Sequence, residues 1–137
     1  MSALSGYLIV RAAGDPYGLP IGHVLEVSDL GEVLAVPRSH PAVRGLTPQR
    51  GRLVPVIHLG ALLAGRAAPV ERGRTSVLVR LGRREIALEV DDADEVVREA
   101  PLPLSKGEDL PWASGVAVQR QGLVPILDLD SLEDRIL

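Results

Sequence analysis

The chain has 137 residues, the size of one ordinary domain or of two small halves that share a core, and a formal net charge of −3. This charge provides no field that would gather nucleic-acid phosphates or anionic lipid, which argues against both as partners. Aromatic residues make up only 2% of the chain, too few for the stacking platforms of carbohydrate and single-stranded nucleic-acid binders, and the lack of cysteine excludes disulfides and thiolate sites.

The first half of the chain is predicted to consist of short strands. Extended runs separated by turn signals predict strands at residues 7–12, 17–21, 23–27, 33–36 and 52–59. Residues 42–46 predict either one helical turn or an extended arm. Pro55 lies inside the strand 52–59 and lacks a ladder donor, so that strand is expected at a sheet edge or a bulge. Residues 60–65 predict one apolar helical turn closed by Gly65.

The second half repeats this plan after a polar connector at residues 66–74. Strands are predicted at residues 75–81, 85–90 and 122–129. The segment 100–111 is rich in proline and polar residues and predicts a long loop. A short terminal helix is predicted at 131–137, with Asp130 or Ser131 as its N-cap.

One long stretch of sequence occurs twice. Residues 45–59 recur without a gap as residues 115–129, with the motif Leu-Val-Pro in both copies. The first part of each half matches at an offset one residue shorter, since residues 8–11 correspond to 77–80. The chain 1–137 therefore reads as a single domain built from one supersecondary unit used twice, with halves at about 7–68 and 75–130. Short strands with almost no helix predict an all-β fold of two small barrels.

No motif for catalysis or metal binding emerges. His23, His40 and His58 do not have a pair spacing typical of a zinc site, and His58 is expected to point out of its barrel. The carboxylates of residues 91–95 predict a solvated loop rather than an acid and base pair. A nucleophile elbow, a phosphate-binding loop and a dinucleotide fingerprint are all missing from the sequence. We therefore expect a protein that is not an enzyme and that needs no cofactor or metal.

Two acidic and two basic residues occupy matching places in the repeat. Glu26 corresponds to Glu95, and Arg50 corresponds to Arg120. One interpretation is a surface ion pair in each half, worth about 0 to 1 kcal/mol. The other is that Glu26 positions Arg50 for a binding partner.

Several runs of the chain match a known pattern, namely residues 17–21, 24–27, 37, 45–47, 50–51, 53–59, 77–81, 88–91, 95–97, 115 and 123–129. Together these runs resemble the CheW-like domain family, the coupling proteins of bacterial chemoreceptor arrays. The resemblance implies two five-stranded SH3-like β-barrel subdomains that share a core. It also implies a non-catalytic adaptor that ties the cytoplasmic tip of a chemoreceptor to the regulatory domain of a CheA-type histidine kinase.

The resemblance further implies which residues bind. The positions that match the family's receptor-binding surface are Val24, Glu26, Gly45, Arg50 and Gly51, and the family pairs the glutamate with the arginine. The glycines would let a receptor helix approach the backbone closely. We expect a cytoplasmic protein that is recruited to membrane receptor arrays, where it self-associates, without inserting into the membrane.

The chain also departs from the family's usual pattern. It has Pro48-Gln49 where Asn-Leu usually precedes Arg-Gly, and its terminal helix is short. A second hypothesis is therefore a CheW-like variant in a paralogous pathway, for motility by pili or for development, that binds only one partner. A third, from a different class, is a small β-barrel that binds a ligand or nucleic acid.

Overall fold

A computed structural model describes residues 6–37, 40–69, 75–99, 101–103, 112–120 and 122–136. The described residues form eleven strands and two α-helices, with a 3₁₀ turn at Ile21–His23. The strands are β1 (Tyr7–Ala12), β2 (Asp15–Pro20), β3 (Val24–Asp29), β4 (Val43–Gln49), β5 (Arg52–His58), β6 (Thr75–Leu81), β7 (Arg84–Val90), β8 (Asp92–Val97), β9 (Leu102–Pro103), β10 (Ala113–Gln119) and β11 (Gly122–Leu127). The helices are α1 (Leu59–Ala64) and α2 (Leu129–Ile136).

The strands form two sheets. The first has the order β3-β6-β7-β5-β4, and we call it the first subdomain; the second has the order β8-β1-β2-β11-β10-β9, and we call it the second subdomain. The second sheet has six strands rather than five because the two-residue strand β9 pairs with β10. The predicted all-β fold of two barrel-like subdomains is confirmed.

Neither half of the sequence forms a sheet of its own. The β1–β2 hairpin belongs to the first half but lies between β8 and β11, while the β6–β7 hairpin of the second half lies between β3 and β5. The two exchanges are equivalent, since β11 pairs in parallel with β2 at Ile126 and Gly18, and β5 pairs in parallel with β7 at Val56 and Ala87. The repeat found in the sequence is therefore present in the structure, but the halves 7–68 and 75–130 are not its spatial units.

The core is mostly aliphatic, with the buried Tyr7 as an exception, and its main cluster is shared by both subdomains. One cluster of buried side chains contains Val10 and Leu19 from the second subdomain, Val77 and Leu88 from the first, and Leu129 from α2. Fully burying one side chain of this size contributes about 1.5–3 kcal/mol. Because the exchanged hairpins bring their apolar faces into this one cluster, the subdomains form a single packed unit.

Two segments of the first half differ in how well the sequence predicted them. Residues 42–46 are extended and form most of β4, not a helical turn. The predicted strand 33–36 is reduced to one bridge, in which Leu34 and Leu46 exchange both backbone hydrogen bonds at 2.7 and 2.9 Å. The segment that follows β3 thus runs antiparallel along β4 and helps to close the first subdomain.

Pro55 does not place β5 at a sheet edge, because β5 lies between β7 and β4. Its partner on β4 is Leu46, and the N–H and C=O of Leu46 are both hydrogen-bonded to Leu34. The absence of an N–H at Pro55 therefore removes no hydrogen bond between β5 and β4. The pairing with β7 begins only at Val56. The missing N–H of proline therefore falls just before the parallel ladder starts, where it costs no bond.

Candidate partner-binding surface

The β4–β5 turn presents Arg50 and Gly51 to solvent. Gln49 and Arg52 form the last pair of the hairpin, and the two residues between them have φ angles of 52° and 80°. Positive φ at both central residues is typical of the type I′ turn, whose twist suits a two-residue hairpin. An arginine in the left-handed region carries roughly 1–2 kcal/mol of strain. The turn thus holds the Arg50 side chain in solvent at the tip of the hairpin, in a backbone conformation that Ala13 shares in the β1–β2 turn.

Strand β3 carries two more of the predicted positions, Val24 and Glu26. Val24 is half-buried and packs against the core, whereas Glu26 is exposed. Among the described residues β3 pairs only with β6, so its other edge is unpaired. Its side chains Leu25 and Val27 are 37% and 46% exposed. An edge strand with exposed apolar side chains is a ready surface for another chain.

Gly45 differs from the other predicted positions because it is buried. It has a φ of 152°, and a Cβ atom there would collide with the backbone carbonyl of Leu34. The space next to this glycine is therefore filled by the protein's own chain. Glycine is therefore needed at position 45 because the backbone of Leu34 packs against it, and not, as expected, to let a receptor helix approach closely.

The structure does not join Glu26 to Arg50 or Glu95 to Arg120. Within the part of the chain that the structure describes, the ion pairs are Arg44–Glu89 and Arg80–Glu85. Glu26 lies on β3 and Arg50 in the β4–β5 turn, and the strands β3 and β4 stand at opposite ends of the strand order. The side chains of Glu26 and Arg50 are both exposed. The lack of an ion pair between them costs the protein little stability, since an exposed pair contributes only about 0 to 1 kcal/mol.

A buried ion pair lies in the first subdomain, and the sequence analysis did not predict it. The guanidinium of Arg44 donates to both carboxylate oxygens of Glu89, at 2.8 and 2.9 Å, and also to the carbonyl of Pro69. The Glu89 side chain is fully buried and that of Arg44 is 11% exposed. The two residues lie on β4 and β7, far apart in sequence, so only the folded topology reveals them.

His58 caps helix α1 instead of pointing away from its barrel. Its Nδ1 accepts a hydrogen bond from the N–H of Ala61 at 3.0 Å. Burial lowers the pKa of His58, an effect opposed by nearby Glu89 and reinforced by Arg44. The neutral ring that the cap needs is thus favoured near pH 7.

Helix α2 is capped in the same way by the repeat equivalent of His58. The Oδ1 of Asp128 accepts a hydrogen bond from the N–H of Ser131 at 3.3 Å. The predicted caps Asp130 and Ser131 were therefore wrong, because the helix already begins at Leu129. The 70-residue offset of the repeat would have identified this cap once that of α1 was known.

Residues 92–95 of the acidic run lie in strand β8 and not in a loop, and Asp91 lies in the bend just before it. Asp92 is the first residue of β8, and Asp91 accepts a hydrogen bond from the N–H of Gly14 at 3.1 Å. Burial and a hydrogen bond with Asp94 raise the pKa of Asp92.

Across the described ranges, His, Asp and Glu side chains form no cluster of three or more that could hold a metal ion. In the same ranges, the helices are too short to cross a bilayer.

Comparisons with known proteins identify the family of the chain and support its fold. The family model described as the CheW-like domain matches residues 6–136. The chemotaxis protein CheW of Klebsiella aerogenes is 24% identical over 91 residues, which cover 66% of this chain and 55% of that protein, so the match spans about half the length of this curated relative. The crystal structure of the scaffolding protein TtCheW from Thermoanaerobacter tengcongensis has a TM-score of 0.77 at 22% identity, covering 93% of this chain and 91% of that one, and supports the fold.

Proposed function

Because the chain belongs to the CheW-like domain family, whose model spans residues 6–136, we propose that it is a non-catalytic adaptor in chemosensory signalling. In this role it couples the cytoplasmic tip of a chemoreceptor to the regulatory domain of a CheA-type histidine kinase. The family match over nearly the whole chain is the observation that carries the proposal. The exposed Arg50-Gly51 turn and the unpaired edge of β3 support it.

The receptor-binding surface is proposed to consist of Val24, Glu26, Arg50 and Gly51, with Gly45 shaping it from beneath. A receptor tip is a helical hairpin, so binding follows the helix-in-groove mode, in which an apolar stripe packs on exposed aliphatic side chains. The exposed Leu25 and Val27 provide such contacts on β3. Arg50 supplies a positive charge that selects a partner carrying an acidic residue.

A pull-down with purified receptor tips and with the kinase's regulatory domain tests this function. The full chain is expected to bind both. Binding to the receptor alone or to the kinase alone would instead identify a variant that uses one partner, and binding to neither removes the proposal.

Reversing the charge at Arg50 tests the site itself. Arg50→Glu is expected to weaken receptor binding at least about tenfold, equivalent to 1.4 kcal/mol. Its melting temperature should stay within about two degrees of wild type, because the side chain is exposed. The repeat-equivalent variant Arg120→Glu is the matched control and should bind as wild type does. If Arg50→Glu unfolds instead, Arg50 is structural.

A further inference from the structure

The second subdomain carries an aromatic groove that lies apart from the surface described above. Tyr17 and Trp112, two of the three aromatic residues of the chain, meet edge to face with ring centroids 5.8 Å apart and planes at 67°. They line a depression of about 240 Å³. Its other described walls are Asp15, Pro16, Leu123 and Pro125.

The repeat shows that the fold does not require this groove. In the first subdomain, the positions equivalent to Tyr17 and Trp112 are Ile86 and Ala42, and both are buried in the core. The same backbone is thus completed with buried aliphatic side chains in the first subdomain and with partly buried aromatic rings in the second. Leu123 beside the rings is 68% exposed. Rings and leucine together leave apolar surface uncovered, which is typical of a binding site.

The size and lining of the groove favour an extended peptide. Small-molecule sites usually enclose about 300–1,000 Å³, and this depression is smaller and open. Polyproline II segments dock on shallow grooves lined by aromatic rings, and they lose little conformational entropy because they are already extended. The crossed rings of Tyr17 and Trp112, flanked by Pro16 and Pro125, offer this kind of surface.

The charge at the rim indicates what else the peptide carries. Asp15 is exposed, and it takes part in neither of the ion pairs of the described residues. Its repeat equivalent is Arg84, so the rim is acidic only in the second subdomain. An arginine on the peptide can pair with the carboxylate and stack on an aromatic face at the same time.

We propose that the groove of Tyr17 and Trp112 binds an extended, proline-containing peptide segment whose flanking arginine pairs with Asp15. This binding does not depend on the adaptor function proposed above. The groove lies on β2 and β11 of the second subdomain, whereas the proposed receptor surface lies on β3 and the β4–β5 turn of the first.

The single tryptophan of the chain makes a direct test available. Because Trp112 is the only tryptophan, its fluorescence reports on this groove alone. A synthetic peptide of the pattern Arg-x-x-Pro-x-x-Pro is expected to change the Trp112 emission in a saturable way. The same peptide with both prolines replaced by alanine should not, and a peptide with glutamate in place of arginine should bind more weakly. A linear, unsaturated response, or equal binding of the alanine peptide, would overturn the proposal.

Substitutions of the exposed Asp15 test the proposed ion pair without disturbing the core of the protein. Asp15→Asn is expected to weaken binding about two- to fivefold, the range for one exposed ion pair, and Asp15→Arg should weaken it further. Asp29→Asn removes another exposed carboxylate, on β3 of the first subdomain, and should leave binding unchanged. Arg50→Glu should also leave it unchanged, which separates this site from the receptor surface. Binding that Asp15→Arg does not affect contradicts the proposed pairing.

Discussion

The two subdomains have the same strand plan but differ in the side chains that complete it. The first holds the buried pair Arg44–Glu89, and the repeat equivalents in the second are Ser114 and Pro20, which have no charge to pair. The second holds the aromatic groove, and the first fills the same place with aliphatic core. The features that maintain the backbone topology, such as the exchanged hairpins and the capped helices, are thus shared by both subdomains. A few unshared side chains give each subdomain its own surface and its own sensitivity to mutation.

Removing Arg44 is expected to have the largest effect on stability. Arg44→Met leaves the Glu89 carboxylate buried without its bidentate partner, which should cost about 3–5 kcal/mol in the free energy of unfolding. Urea unfolding measures this cost. The control Ser114→Ala, at the equivalent site, should change stability by less than about 0.5 kcal/mol.

A double variant sharpens the same contrast. Arg44→Met with Glu89→Leu replaces the pair with apolar side chains of similar size and should recover most of the loss. If Arg44→Met alone costs no more than Ser114→Ala, the ion pair does not distinguish the subdomains.

The equivalent glycines Gly45 and Gly115 provide a second contrast. A Cβ at Gly115 would lie 2.7 Å from the carbonyl oxygen of Leu102, and one at Gly45 would collide with that of Leu34. Gly45 also has positive φ, so Gly45→Ala adds backbone strain to the collision. We expect each alanine variant to destabilise the protein by about 1–3 kcal/mol, and Gly45→Ala more than Gly115→Ala. Thermal melting of both variants measures the order, and the reverse order would contradict this account.

The two helix caps should respond differently to acid. Protonating His58 removes the lone pair that caps α1, and burial lowers its pKa in the folded protein below the ordinary value. Its stabilising contribution is therefore complete above about pH 6.5 and is lost as the pH falls through the folded pKa.

His58→Asn isolates this contribution. Asparagine caps at every pH, so the variant should match wild type to within about 1 kcal/mol at pH 7.5 and lose less stability on acidification. Asp128→Asn in the second subdomain should keep the wild-type acid response of His58. Urea unfolding between pH 5 and pH 8 makes the comparison, and identical pH profiles for His58→Asn and wild type would rule out this role.

The smallest expected effect concerns the two hairpin tips. Among the described non-glycine residues only Ala13 and Arg50 have positive φ, so Arg120 does not share the strain of Arg50. Arg50→Asn should raise the free energy of unfolding by up to about 1 kcal/mol, because asparagine tolerates the left-handed region. Arg120→Asn should not. Equal effects of the two substitutions would mean that the turns are conformationally alike.

Much of the fold could be predicted because the repeat and the local patterns are strong. The hairpin at residues 7–20 and the helical turn closed by Gly65 follow from turn chemistry, and Gly65 indeed adopts the left-handed conformation with φ of 68°. The exchange of hairpins could not be predicted, because pairing β2 with β11 depends on packing between distant segments. A pattern of alternating residues identifies a strand but not its neighbour.

The site was predicted less completely for the same reason. The residues implied by the family resemblance lie on an exposed strand and turn, except Gly45, whose burial depends on Leu34 crossing above it. The Arg44–Glu89 pair joins two strands of opposite halves, so no local spacing could indicate it. The Tyr17–Trp112 groove likewise forms only when the first hairpin meets the last strands.

The exchanged hairpins determine when the protein can fold during its synthesis. β1 pairs with β8, and β2 lies beside β11, which is synthesised much later than β2. The emerging first half can form its local hairpins but lacks the strands that would cover them, and closing such long loops slows folding. The second subdomain therefore acquires its tertiary structure only after β11 has been synthesised, and until then the apolar strands of the nascent chain are exposed and prone to aggregation.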